Sequence, residues 1–198
     1  LKNNRKNMSD SQLVQLALKN SDDYFYLIEK YEPKLMRYIH RTVSVIQEEA
    51  EDLLQDIFIK IYKNLNGFNQ KFKFSSWIYR IAHNEILNFA YKRKTILNLI
   101  RTETSNSYGS SIIDEMPGTQ DAVSDFESKQ SRQKMHSAMM ELPLKYREVL
   151  VLRFFEDKSY DEMSDILRKP EGTVATLISR AKKKFEPIAK KHQLEEIL

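Results

Sequence analysis

The sequence predicts an all-α fold of two small helical domains joined by a flexible acidic linker, the second a helix-turn-helix (winged-helix-like) unit. Three observations lead there. Glycine and proline are scarce, 4 and 5 in 198 residues, which leaves too few turn signals for a strand-rich chain. Apolar residues recur at steps of three and four in successive runs, the period of a helix. Between two sets of such runs lies 102–127, rich in Ser, Thr, Asp, Glu and Gly, with six acids and no base. That composition reads as a tether, with a brief apolar foothold at Ile112-Ile113.

In chain order, a short helix is expected over 9–20, with Leu13, Leu16 and Ala17 on one face and Ser9 or Asp10 as cap. A second, over 23–31, places Tyr24, Leu27, Ile28 and Tyr31 at core spacing. Pro33 suits the first turn of a third, over 34–43, burying Leu35, Tyr38 and Ile39. The next helix, 47–65, carries an unbroken stripe of Ala50, Leu53, Leu54, Ile57, Phe58, Ile61, Tyr62 and Leu65. Its far face reads Glu48, Asp52, Gln55, Asp56, Ile59 and Lys63. The helix dipole favours acids near the start, which accounts for Glu48 to Asp52 but not for Ile59. An acidic surface with an isoleucine at its middle suits a basic, partly apolar protein groove.

Asn66-Gly67 ends that helix. The loop 68–75 interleaves Phe68, Asn69, Gln70, Lys71, Phe72 and Lys73, a mixture able to hold an unstacked base. Equally, Phe68 or Phe72 could tuck the loop against the core, and the two roles are compatible. The stretch 72–94 then has no Pro or Gly and room for about six helical turns. One side carries Phe74, Ile78, Ile81, Ala82 and Phe89, interrupted by Glu85, for which the sequence offers no account. The other carries Ser76, Arg80, His83, Asn84, Leu87, Tyr91 and Lys94, with Trp77 and Tyr79 flanking. Cations neutralise phosphate and flat side chains accept stacked bases, so this face suits a nucleic-acid strand.

Beyond the tether, helical pattern resumes near 125–127 and runs to 141 through Met135, Ala138 and Met139, with Leu142 beyond. Pro143 opens a helix to about 155, with Tyr146, Val149, Leu150 and Phe154. Ser159 and Glu162 form a capping box for a short helix that Arg168-Lys169-Pro170 breaks. A second helix follows, burying Val174, Leu177, Ile178, Ala181 and Phe185. Its exposed face holds Gly172, Thr176, Ser179, Arg180 and Lys183. Two short helices on a tight turn, the second basic, form the helix-turn-helix pattern, with small residues early to enter a major groove.

Charge is distributed in blocks. Residues 48–56 hold five acids and no base, 67–94 six bases and one acid, and 168–191 eight bases and two acids. Two separate basic surfaces are therefore expected, each a candidate for polyanion binding. Zero cysteines remove disulfides, thiolate metal sites and cysteine nucleophiles. The four histidines, His40, His83, His136 and His192, are scattered, and no Gly-rich phosphate loop or metal-spaced cluster occurs. The chain is thus read as no enzyme, without catalytic residues, metal, cofactor or small-molecule substrate. It has no apolar run of membrane-spanning length and no signal-peptide core in its first residues, so a cytoplasmic location is expected.

Three runs together carry a resemblance: AEDLLQDIFIKIYKNL over 50–65, FSSWIYRIAHN over 74–84, and SYDEMSDILRKPEGTVATLISRAKKKF over 159–185. In this order, with an acidic tether between, the chain resembles an extracytoplasmic-function sigma factor of the sigma-70 family. The resemblance implies a region 2-like domain over 8–95, an acidic linker over 96–128, and a region 4-like domain over 129–192. It implies that Asp52, Gln55, Asp56 and Ile59 dock on the β′ coiled coil of core RNA polymerase. It implies that the loop residues Phe68, Asn69, Lys71 and Lys73, with Trp77, Arg80, His83 and Asn84, capture and melt the minus-ten element. The minus-thirty-five element would be read by Thr173, Thr176, Ser179, Arg180 and Lys183, in a domain that also sits on the β flap. The linker would follow the RNA-exit path, and an anti-sigma protein would hold the factor inactive until a stress or envelope signal. A single Trp with Ile78 beside it leaves fewer aromatics for strand separation than larger family members use. A stand-alone helix-turn-helix regulator is the alternative, and it predicts tight palindromic-site binding without polymerase.

Overall fold

The structure, a computed structural model, describes residues 8–103 and 124–194. The tether residues between them, Ile112-Ile113 included, lie outside the described residues. Helix α1, Asp10–Lys19, starts at Ser9, whose hydroxyl accepts from the Gln12 N–H while the Gln12 side chain accepts from the Ser9 N–H. A single 3₁₀ turn, Ser21–Asp23, leads into α2, Tyr24–Thr42.

Here the structure departs from the expected break at Pro33, because α2 passes through it without interruption. Leu27, Tyr31, Leu35, Tyr38, Ile39 and Thr42 are all buried, in one register on both sides of the proline. An interior proline costs about 3 kcal/mol. Burying that continuous stripe outweighs the loss, since each large apolar side chain contributes about 1.5–3 kcal/mol, and Pro33 itself faces solvent.

Helix α3, Gln47–Asn64, begins where the Glu49 carboxylate accepts from the Ile46 N–H at 3.2 Å. It buries Ala50, Leu53, Leu54, Ile57, Phe58 and Ile61. Tyr62, assigned to the buried stripe by spacing, instead stands 47 % exposed with its ring edge on Tyr24. A 3₁₀ turn, Leu65–Gly67, closes α3, and α4 runs from Phe74 to Glu103. With no Pro or Gly to stop it, α4 continues past 95, where the polar texture begins. Glu85, unexplained by periodicity, meets Lys60 of α3 at 2.5 Å. Tyr24 Oη donates to the Phe58 carbonyl at 2.8 Å, fastening α2 to α3.

In the second half, α5 (Ser124–Glu141) and α6 (Leu144–Leu150) are followed by a π-helical turn, Val151–Phe155. The wider turn rotates later positions: Val151 and Leu152 are buried, while Phe154, expected in the core, is 55 % exposed beneath the Lys182 ammonium. Helix α7, Tyr160–Leu167, carries the predicted capping box, with Ser159 accepting from the Glu162 N–H and Glu162 from the Ser159 N–H. Arg168 turns the chain in a left-handed conformation, φ 51°, and Pro170 admits α8, Glu171–Lys191. No strand occurs among the described residues, and the helix-turn-helix stands there without a β wing.

The two halves share one hydrophobic core. α4 packs on α7, and α2 on α5, α6 and the π turn.

Candidate polymerase and nucleic-acid interfaces

On α3 the side opposite the buried stripe presents Asp52, Gln55, Asp56 and Ile59, all exposed, with Ile59 at 44 % and Tyr62 beside it at 47 %. Helical spacing alone puts these four on one surface. An exposed isoleucine and tyrosine framed by two carboxylates form a small apolar patch with an acidic edge.

In the loop before α4, Phe68 is the anchor. Its ring centroid lies 5.0 Å from Phe74 and 5.3 Å from Trp77, a three-ring cluster that half-buries the chain's one tryptophan. Phe72 is not an anchor, being 55 % exposed. The Asn69 carboxamide accepts from the Lys71 N–H at 3.0 Å, and the Phe72 N–H donates to the Asn69 carbonyl, a tight turn that presents Asn69, Lys71 and Phe72 outward.

On α8, Thr173, Thr176, Ser179, Arg180 and Lys183 are all exposed on the face away from Val174, Ile178, Ala181 and Phe185. A Cβ added at Gly172 would meet nothing within 4 Å. The end of the helix is thus narrow and open, the shape a groove admits.

The family model for sigma-70 region 2 matches residues 27–96, and that for sigma-70 region 4 matches 132–185. The ECF RNA polymerase sigma factor SigW of Bacillus subtilis is 31 % identical over 88 % of this chain and 93 % of its own. The chain belongs to the extracytoplasmic-function sigma factors of RNA polymerase. Its fold is similar to that of CnrH, solved with the cytosolic domain of CnrY (20 % identical, TM-score 0.64, 92 % of this chain and 97 % of the other). It is similar as well to that of Bartonella quintana RpoE, solved with the anti-sigma factor NepR (21 % identical, TM-score 0.63, 85 % and 97 %). The SigW similarity spans both helical halves, which a stand-alone regulator with an unrelated first domain would not produce.

In this sigma factor the α4 face expected to lie open is closed over its first turns. Ser76, Tyr79 and His83 are buried, Tyr79 and His83 against the second half. The His83 imidazole bonds the Glu148 carboxylate, which also accepts from Tyr38 Oη at 3.1 Å. Glu156 accepts from Tyr79 Oη at 2.5 Å and from Arg41 at 3.1 Å. Lys158 lies 4.3 Å above the Tyr79 ring, and Lys73 pairs with Glu162 at 3.5 Å. Burial, then the carboxylates beside them, pushes the Tyr38 and Tyr79 phenols far above the usual tyrosine range. Arg80 stays half-buried, and Asn84, Leu87, Tyr91 and Lys94 remain at least partly open.

Sequence reasoning passed over Arg147, the centre of the contact. Its guanidinium donates to the carbonyls of Met139, Met140 and Leu142, at 2.7–2.8 Å, and to that of Thr42 at 2.8 Å. It therefore caps the C-termini of α5 and α2 together, where helix dipoles favour a cation. Burial pushes it down to about 10, which leaves it charged at neutral pH. A buried position on an amphipathic helix gave no hint that an arginine there serves four carbonyls.

Proposed function

We propose that this sigma factor lends promoter specificity to core RNA polymerase through three separate surfaces and itself catalyses nothing. Asp52, Gln55, Asp56 and Ile59 dock on the β′ coiled coil. Asn69 and Lys71, on their turn, and Phe68, Trp77, Lys73, Arg80, His83 and Asn84 around it, take the minus-ten strand. Thr173, Thr176, Ser179, Arg180 and Lys183 read the minus-thirty-five element. Working boundaries are 8–95 for the polymerase and minus-ten domain, 96–128 for the linker and 129–192 for the minus-thirty-five domain, which also contacts the β flap. Strand opening is driven by binding: the cost of unstacking is offset by pockets that exist only for the open strand.

The observation that carries this reading is the opposed character of two exposed faces. The α3 face joins two carboxylates to an isoleucine, and α8 offers hydroxyls, Arg180 and Lys183 on a narrow helix end. An acidic-apolar face suits a basic protein groove, and a basic-hydroxyl face suits DNA. Control by an anti-sigma protein is part of the proposal, supported by the protein of like fold solved with the anti-sigma factor NepR. Action inside the cytoplasm follows from the polymerase partner, and no helix among the described residues is long and apolar enough to cross a membrane.

The test is Asp52→Lys with Asp56→Lys. Both side chains are exposed, so the fold should persist. Co-purification with core polymerase should be lost while duplex binding through α8 stays; retained co-purification removes the α3 assignment.

A further inference from the structure

On the outer face of α8 one hydroxyl is already committed. Thr176 Oγ1 donates to the Gly172 carbonyl at 2.8 Å, one helical turn back. A hydroxyl has one proton and two lone pairs. With its proton held by its own helix, Thr176 offers its surroundings lone pairs, and beside them a methyl group. Arg180, four residues on, is the reverse, a cation with donors only. Both are exposed, on the side away from Val174, Ile178 and Ala181. The face therefore presents an acceptor and then a fork of donors, about 6 Å apart along the helix axis.

The helix that carries them is held firmly. Ser164 Oγ of α7 donates to the Lys169 carbonyl at 2.7 Å, and the Lys169 N–H donates to the Ser164 carbonyl at 3.2 Å, so the turn between the two helices is tied on both sides. The Pro170 carbonyl accepts from the N–H groups of Thr173 and Val174 at 2.8 and 3.0 Å, fixing the first turn of α8. Gly172, one turn before Thr176, has no side chain and open space where one would stand, so the hydroxyl is open to approach from that side.

In the major groove adenine and cytosine present an amino group where guanine and thymine present a carbonyl oxygen. Over an amino base Thr176 keeps its bond to Gly172 and accepts a second from the base. Over a keto base its one proton must leave Gly172 to serve the base, or stay and set oxygen against oxygen. The difference between the two classes is one hydrogen bond. Base pairs are stacked about 3.4 Å apart, so a step of about 6 Å along α8 keeps the bases under Thr176 and Arg180 within two pairs of each other.

We infer that Thr176 selects an amino base, adenine or cytosine, in the duplex element read by α8, within two base pairs of any position that Arg180 specifies. This selection rests on the proposed reading of α8 as the minus-thirty-five helix, and adds to it the chemical class of one of the bases read.

The experiment uses the full chain with core polymerase and duplex promoters randomised over the upstream element, the bound promoters being sequenced. The parent chain should favour A or C over G or T about fivefold at one position, the effect of one net hydrogen bond. Thr176→Val keeps the branched shape and removes the oxygen, and it should abolish that preference. Thr176→Ser keeps the hydroxyl without the methyl, and it should retain it. A second measurement removes the group from the base instead. Purine 2′-deoxyriboside in place of a selected adenine, or 2-pyrimidinone deoxyriboside in place of a selected cytosine, should weaken binding about fivefold for the parent and leave Thr176→Val unaffected. An amino preference that survives in Thr176→Val overturns the inference. So does a keto base at the position that variant relaxes, or an analogue that costs parent and variant alike. If Thr176→Val and Arg180→Ala both leave the whole selected element unchanged, the failure lies with the reading of α8, and the inference falls with it.

Discussion

Arg147→Met removes the guanidinium while nearly preserving the volume of its stem. Four charge-assisted hydrogen bonds are lost, to Met139, Met140, Leu142 and Thr42, all at 2.7–2.8 Å. At about 1.5–3 kcal/mol for each bond to a charged donor, the gross loss is several kcal/mol. Relief of burying the charge, visible in the lowering of its pKa to about 10, offsets part of that. The carbonyls left behind are C-terminal in α5 and α2 and buried by the contact, so the loss does not vanish. A net destabilisation of about 3 kcal/mol is expected, the low end for breaking a buried charged cluster. In urea unfolding followed by circular dichroism, the midpoint should fall by about 1.5 M for a slope near 2 kcal/mol/M. Arg147→Lys, charged but unable to span four acceptors, should lie between. A methionine variant within about 0.5 kcal/mol of the parent refutes the claim that one guanidinium holds both helix ends.

Alkaline pH should unfold the protein early. Tyr24, Tyr31, Tyr38 and Tyr79 have folded pKa values raised above 10.0, chiefly by burial. Their contribution is complete below pH 10 and is lost as pH rises toward the folded values, at about 1.4 kcal/mol per unit for each phenol. Tyrosinate absorbance should appear together with loss of helix; phenols ionising at pH 10 in a folded chain would contradict this. Ser159→Ala breaks the α7 capping box and should cost about 1 kcal/mol in thermal or urea unfolding. Arg180→Ala should weaken duplex recognition at one upstream base pair by about 1–3 kcal/mol, read by competition among single-base variants; an equal loss on all sequences makes it a phosphate contact.

Much of this molecule was legible from one-dimensional pattern. The α3 stripe, the Ser159–Glu162 box, the break at Arg168–Pro170 and the buried and exposed faces of α8 follow from residues a few positions apart. What escaped depends on partners far along the chain. Pro33 reads as a boundary until the stripe on both sides is seen to pack on one core. Glu85 looks misplaced until Lys60 is seen beside it. Periodicity marks Tyr79 and His83 as flanking or facing away from the first core, but it does not say what covers them. Their partners Glu148 and Glu156 lie 65 and 77 residues on. Tyr62 and Phe154 fit core spacing, yet one meets solvent at the edge of a small helical layer and the other is rotated outward by the π turn.

The division of labour among the three faces is tested most directly by transcription in vitro from a randomised promoter library with core polymerase. The account predicts a two-part upstream motif selected only when this chain is present. Lys at positions 52 and 56 should abolish that selection, and Arg180→Ala should alter the distal part alone. Start sites chosen identically with and without the chain would contradict it.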